Sequence, residues 1–207
     1  MKIWGRLSSI NVRKVVWAAQ ETGAAFTRID AGASHGIVGT AAYRQLNPNA
    51  LVPTLEDGDL VLWESNTIVR YLASQYPAAR LLPQGTAARF VAEQWMDWQQ
   101  TAINPAGRDA FIQLIRTPAT QRRDDLVAHS VAATAPLLQL LDRHLATRPF
   151  MAGDTFSMAD IPLGCEMHRW FGLPLAHEAA ALPHLQRWYA ALRARPASRG
   201  ILDLALS

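Results

Sequence analysis

Only one cysteine, Cys165, occurs in 207 residues. A single thiol excludes an intramolecular disulfide and any C-x-x-C redox or zinc pair. It suits a reducing compartment, and the plain expectation for it is a small buried side chain. Long hydrophobic runs are missing as well: nowhere do roughly 18 apolar residues follow one another as a membrane span requires. The opening MKIWGRLSSINVRKVVWAAQE carries basic residues but no unbroken apolar stretch followed by a cleavage site. The expectation is a cytoplasmic protein without a membrane partner. Long runs of one charge sign are absent too. Twenty Lys and Arg against 17 Asp and Glu leave a net charge of +3, so no basic patch calls for nucleic acid. What the chain has in quantity is hydrophobic side chains, 50% of its residues, enough for a real core in one large domain or two modest ones.

The first eighty residues alternate between strand and helix patterns. KIW (2–4) reads as a short strand. NVRKVVWAAQETG (11–23) sets Val12, Val15, Val16 and Ala19 at helical spacing and stops at Gly23, a C-cap residue. AFTRID (25–30) alternates like a second strand, and TAAYRQL (40–46) is a short helix ended by Asn47-Pro48. Asp57-Gly58 marks a two-residue hairpin between PTLE and DLVLW. SNTIVRYLASQY (65–76) follows as a helix with Ser65 as its expected N-cap and Pro77 beyond its end. The order βαββα, preceded by a further β and α, is a small mixed sheet that needs helices on its faces: βαβαββα over residues 1–78. A linker rich in Pro, Gly and small residues runs to residue 87.

Residues 88–207 read as all-helical. ARFVAEQWMDWQQTAI (88–103) is amphipathic. DDLVAHSVAATAPLLQLLDRHLA (124–146) opens with two acids suited to a helix N-terminus, and Pro136 is expected to kink or interrupt it. LPHLQRWYAALRARP (182–196) puts Leu185, Trp188 or Tyr189, and Leu192 on one face. Ser157-x-x-Asp160 has capping-box spacing, with the carboxylate reaching back to the Ser157 N–H and the hydroxyl accepting from the N–H three residues on.

An α/β half followed by a helical half, with SSINVRKV near the start, LNPNALVPTLEDGDLVLWESNTIVRYL in the middle and RPFMAGDTFSMADI in the second half, resembles the cytosolic glutathione S-transferase family, in particular its serine-type, theta- or beta-like bacterial members. The resemblance spans nearly the whole chain. It implies a thioredoxin-like first domain binding glutathione as co-substrate, a helical domain contributing the site for a small hydrophobic electrophile, and a homodimer. It further implies a cis peptide before Pro53, which presents the backbone of Val52 to the tripeptide as an added strand. Glu64 and Ser65 would hold the γ-glutamyl end, with its carboxylate at a helix N-terminus. Asp97 roughly matches an acid that some dimeric relatives extend to the γ-glutamyl ammonium across the interface.

The same resemblance sets the thiol-activating group. In serine-type members the catalytic serine lies four residues before an arginine that opens the first helix, which selects Ser9 ahead of Arg13. Ser8 is the fallback, and Asn11 is the alternative in asparagine-containing relatives; the structural role open to Ser9 or Asn11 is to N-cap the helix. No tyrosine or cysteine lies in this stretch, which disfavours classes that use those groups. Leu51 departs from the pattern, because many relatives place a Lys, Gln or Arg there against the glycyl carboxylate. His35 or Arg44 are the basic residues considered in its place. Met96, Trp98, Phe111, His168, Trp170 and Phe171 are large residues left open between cleft wall and core. Alternatives to conjugation are another glutathione-dependent reaction on the same fold (peroxidase, isomerase or dehalogenase) and a non-catalytic dimeric binding or scaffold module, which Leu51 favours.

Overall fold

The computed structural model describes residues 1–175 and 182–207, and these divide into two compact units, Met1–Leu82 and Pro83–Ser207. In the first, strands β1 (Lys2–Trp4), β2 (Thr27–Ile29), β3 (Thr54–Asp57) and β4 (Leu60–Trp63) form one sheet in the order β2-β1-β3-β4. β1 pairs parallel with β2, and antiparallel with β3 in the register Lys2↔Glu56, Ile3↔Leu55, Trp4↔Thr54. A parallel pair needs a crossover, and α1 (Ile10–Thr22) supplies it. Helix α1 buries Val12, Val15, Val16 and Ala19, and ends on Gly23 at φ 68°, whose N–H returns to the carbonyls of Ala19 and Gln20. α2 (Ala41–Leu46) follows with Thr40 as N-cap, its hydroxyl accepting from the Tyr43 N–H. α3 (Ser65–Gln75) turns Ile68, Val69 and Leu72 into the core and packs against α1. This is the expected βαβαββα thioredoxin-like order.

The hairpin forms one residue later than its Asp-Gly signal suggests. Asp57 pairs with Leu60, so the turn residues are Gly58 and Asp59, with Gly58 taking the left-handed φ of 59°. A glycine accepts that conformation at no steric cost, whereas Asp57 continues the ladder.

Among the described residues the longer elements of the second unit are all helices: α4 (Thr86–Trp98), α5 (Asn104–Phe111), α6 (Asp124–Leu145), α7 (Asp160–Phe171) and α8 (Pro183–Arg193). π-helical turns at Gln99–Ile103 and Ile112–Arg116 flank α5. Helix α6 runs through Pro136 without the interruption that was one of its two expected effects. Pro136 lies on the exposed side, where the carbonyl that loses its bond can be met by water, so the missing N–H costs least. Leu185, Trp188 and Leu192 of α8 are buried, as are Met96, Phe111 and Trp170. The interior also holds a polar cluster: Gln99 Nε2 donates to Glu166 Oε2 at 2.9 Å, and Arg169 bonds both Glu166 and the Asn104 side chain. Among the described residues no helix is long and apolar enough to cross a membrane.

Asp160 of the capping box is more central than its motif implies. Its Oδ2 accepts from the Ser157 N–H at 2.9 Å, as expected, but the Ser157 hydroxyl accepts from the Ala159 N–H rather than from that of Asp160. The second oxygen accepts from the Met151 N–H and from Trp188 Nε1 of α8, tying three segments to one carboxylate. The Ser157 hydroxyl donates to Oδ2 as a fourth bond at 3.2 Å, and burial pushes this carboxyl up to about 6 against the pull of the four donors.

Candidate active site

The site begins where the β1–β3 ladder ends. The Val52–Pro53 peptide is cis, and among the described residues neither the N–H nor the C=O of Val52 takes a backbone partner. The preceding carbonyl is treated differently. Leu51 O accepts from Tyr43 Oη at 2.7 Å and from Asn47 Nδ2 at 3.0 Å, and both groups also meet Thr54 Oγ1. Tyrosine has a single hydroxyl proton; it goes to the Leu51 carbonyl, so Thr54 donates to Tyr43. Burial raises the Tyr43 phenol above its ordinary value, and the Thr54 contact opposes this. Thus the segment on either side of Val52 is clamped while Val52 itself is left open. Tyr43, Asn47 and Thr54 belong to no motif that marks a site; the one local signal among them is Asn47-Pro48, which by itself indicates only a helix stop.

Two helix N-termini converge near this edge. Ser9 is the N-cap residue of α1, at extended φ and ψ, and its hydroxyl makes no capping bond. The loop before it is held by backbone: Ser9 N–H donates to Arg6 O, and Arg13 Nε reaches back to Leu7 O at 2.6 Å. Gly5, at φ 143°, permits the close packing below, because a Cβ there would fall 2.4 Å from Val12 Cγ2 and 3.1 Å from Val52 Cβ. Asn11 accepts from Ser65 Oγ at 3.2 Å, so the first turns of α1 and α3 are joined by side chains. Neither Ser9 nor Asn11 therefore spends its side chain on capping α1.

At α3 the expected cap moves by one residue. Glu64 is the N-cap, at φ 70°, and Ser65 is the first helical residue. Ser65 does not cap its own helix, because its hydroxyl is drawn to Asn11. Glu64 makes no capping bond either and is exposed. The N–H of Ser65, at the first turn of α3, has no intrahelical acceptor, and a helix start of this kind favours an anion. Val52, Pro53, Glu64, Ser65, Ser9 and Asn11 all belong to the first unit. Asp97 lies in the second, on the exposed side of α4. Leu51 is 65% exposed, His35 is exposed, and Arg44 Nε is engaged with the Gly39 carbonyl. Among the larger residues left open, His168 is bonded to Tyr189 Oη and Leu204 O, while Trp98 and Phe171 are half-buried.

Comparison with known proteins agrees with this geometry. The family "Glutathione S-transferase, N-terminal domain" matches residues 1–74, and "Glutathione S-transferase, C-terminal domain" matches residues 100–196. The chain is 39% identical to glutathione S-transferase GstB of Escherichia coli (strain K12) over 99% of both chains. It is 31% identical to glutathione S-transferase 3 of Zea mays, covering 95% of this chain and 90% of that one. The crystal structure of the theta class glutathione S-transferase from Xanthomonas axonopodis pv. citri with glutathione bound superimposes with a TM-score of 0.94 at 48% identity, over 100% of this chain and 98% of the other. On the matched domains, the full-length identities and the shared fold, the chain belongs to the glutathione S-transferase family.

Proposed function

We propose that the protein conjugates glutathione to a small hydrophobic electrophile as a serine-type member of its family. The observation that carries this is the open Val52 backbone between clamped neighbours, lying in one unit with two helix starts whose side chains do not cap them. Glutathione pairs with Val52 as a short antiparallel strand. Its γ-glutamyl carboxylate accepts from the Ser65 N–H at the start of α3 and from the Ser65 hydroxyl, whose single proton turns to it from Asn11, with Glu64 toward its ammonium. Residues 1–78 form the glutathione-binding domain, 79–87 the linker, and 88–207 supply the electrophile site. The working form is a homodimer, in which Asp97 reaches the partner's γ-glutamyl ammonium, and the setting is the cytoplasm.

The Ser9 hydroxyl donates a hydrogen bond to the thiolate, with Asn11 beside it at the start of α1. A free thiol titrates near 8.5, so ionising it at neutral pH takes a lowering of about two units, or ~2.7 kcal/mol. One hydrogen bond to a charged sulfur contributes about 1.5–3 kcal/mol, and a helix N-terminus about 0.3–1 kcal/mol more. A single hydroxyl at the start of α1 is sufficient. The thiolate then attacks the electrophilic carbon, the leaving group departs with the bonding pair, and the thiol proton goes to solvent; proximity supplies the rest.

Ser9→Ala is expected to lower kcat for an aryl halide about 10- to 100-fold with glutathione affinity nearly unchanged. The ultraviolet thiolate band of bound glutathione should then titrate at higher pH than in the wild type. An unchanged thiolate titration would remove Ser9 from this role.

A further inference from the structure

Leu51 leaves the glycyl carboxylate of glutathione without the cation or amide that the sequence pattern leads one to expect, and the fold places a different cation beside Val52. Arg6 follows Gly5, whose added Cβ would fall 3.1 Å from Val52 Cβ, so the end of β1 brings Arg6 close to Val52. The side chain keeps to that neighbourhood: a Cβ at Gly32 would fall 2.7 Å from Arg6 Nη1 and 3.5 Å from Val52 Cγ1. The guanidinium and the Val52 side chain therefore meet over Gly32, which is at φ 81°.

Arg6 is half-buried, yet among the described residues its guanidinium has no hydrogen-bond or ion-pair partner. Three other arginines of this unit have their side chains committed. Arg13 holds Leu7 O, Arg28 holds Asp30 and Gly5 O, and Arg44 holds Gly39 O. A partly desolvated cation without a counter-charge favours an anion from outside, and a guanidinium presents a fork that fits a carboxylate. The backbone of Arg6 is fixed by the Ser9 N–H at its carbonyl, so little order is lost when an anion arrives.

We infer that Arg6 binds the glycyl carboxylate of glutathione and so takes the part that Leu51 cannot. This rests on the reading that glutathione pairs with Val52. In that antiparallel pairing the γ-glutamyl end runs toward α3 and the glycyl end runs toward Leu51 and the loop bearing Arg6.

The test is calorimetric titration of wild type, Arg6→Ala and Arg6→Gln with glutathione and with its glycyl monoethyl ester, which lacks that carboxylate. Wild type should bind the acid about tenfold more tightly than the ester. Both variants should lose that discrimination, binding acid and ester alike at the affinity wild type shows for the ester, because the two losses describe one interaction. Equal binding of acid and ester by wild type overturns the assignment and leaves the glutathione reading intact, with no variant needed. Variants that weaken both ligands equally overturn it as well, by assigning Arg6 a purely structural part. A loss confined to KM for a carboxylated electrophile would transfer the arginine to the second substrate and also overturn it. No heat from wild type with millimolar glutathione overturns the glutathione reading itself, and this inference with it.

Discussion

At the scale of single residues the site is a matter of which polar atoms are spoken for. Tyr43 and Asn47 occupy the Leu51 carbonyl, and Thr54 bonds both of them, while Val52 is left open. Tyr43→Phe removes the shorter of the two bonds to Leu51 and the contact with Thr54. It should cost about 1–2 kcal/mol of stability and raise KM for glutathione severalfold while kcat holds, read by urea unfolding and by steady-state kinetics on the same samples. An unchanged KM would mean that Asn47 alone positions the strand end. Ser9, Asn11, Val52, Pro53, Glu64 and Ser65 can be singled out as candidates from the sequence because short motifs carry them. Tyr43 and Arg6 cannot, because each acts at a distance in sequence: Tyr43 on residues 8 and 11 positions away, and Arg6 on a loop 26 or more positions on. Composition and spacing hold no trace of such pairs.

At the scale of elements the local signals mark where helices and strands lie, and tertiary contacts adjust their ends. Ser65 has every property of an N-cap, but its hydroxyl bonds to Asn11 of α1 and the cap falls to Glu64. Pro136 is expected to kink or interrupt α6, and the interruption does not occur, because its exposed position allows the helix to continue. The start of α7 shows the energetic side of such adjustment. Asp160 has a carboxyl raised by burial to about 6 from an ordinary 3.8. A carboxyl raised in the folded state holds a proton there that the unfolded chain has already released. Its contribution to stability is therefore full below about pH 4 and declines as the pH rises to about 6, by roughly 3 kcal/mol in all. Asp160→Asn cannot ionise and should remove that decline. The stability difference between wild type and variant, measured by urea unfolding from pH 4 to 7, should shift against wild type as the pH rises. A difference independent of pH would show that the four donors cancel the effect of burial.

At the scale of the whole molecule the exposed apolar residues bear on assembly. Phe90, on α4, is 61% exposed and Val91 is 41% exposed. A homodimer that covers this face should sediment at twice the mass of one chain at micromolar concentration, and Phe90→Asp should shift it toward monomer, because a buried unpaired carboxylate opposes association. A wild-type monomer, or a variant that remains dimeric, would place the interface elsewhere.

The hydrophobic periodicities and turn residues by themselves determined the order βαβαββα and the helical second half, since backbone geometry couples strand and helix to side-chain periods of two and 3.6 residues. The motifs around Ser9, Pro53 and Ser65 determined the family. Only the tertiary structure decided that Ser65 is spent on Asn11, that Asp160 gathers Met151 and Trp188, and that an unpaired Arg6 stands by Val52. These are statements about which polar group finds which partner across the fold, and a polar group's partner depends on three-dimensional proximity that no local pattern encodes.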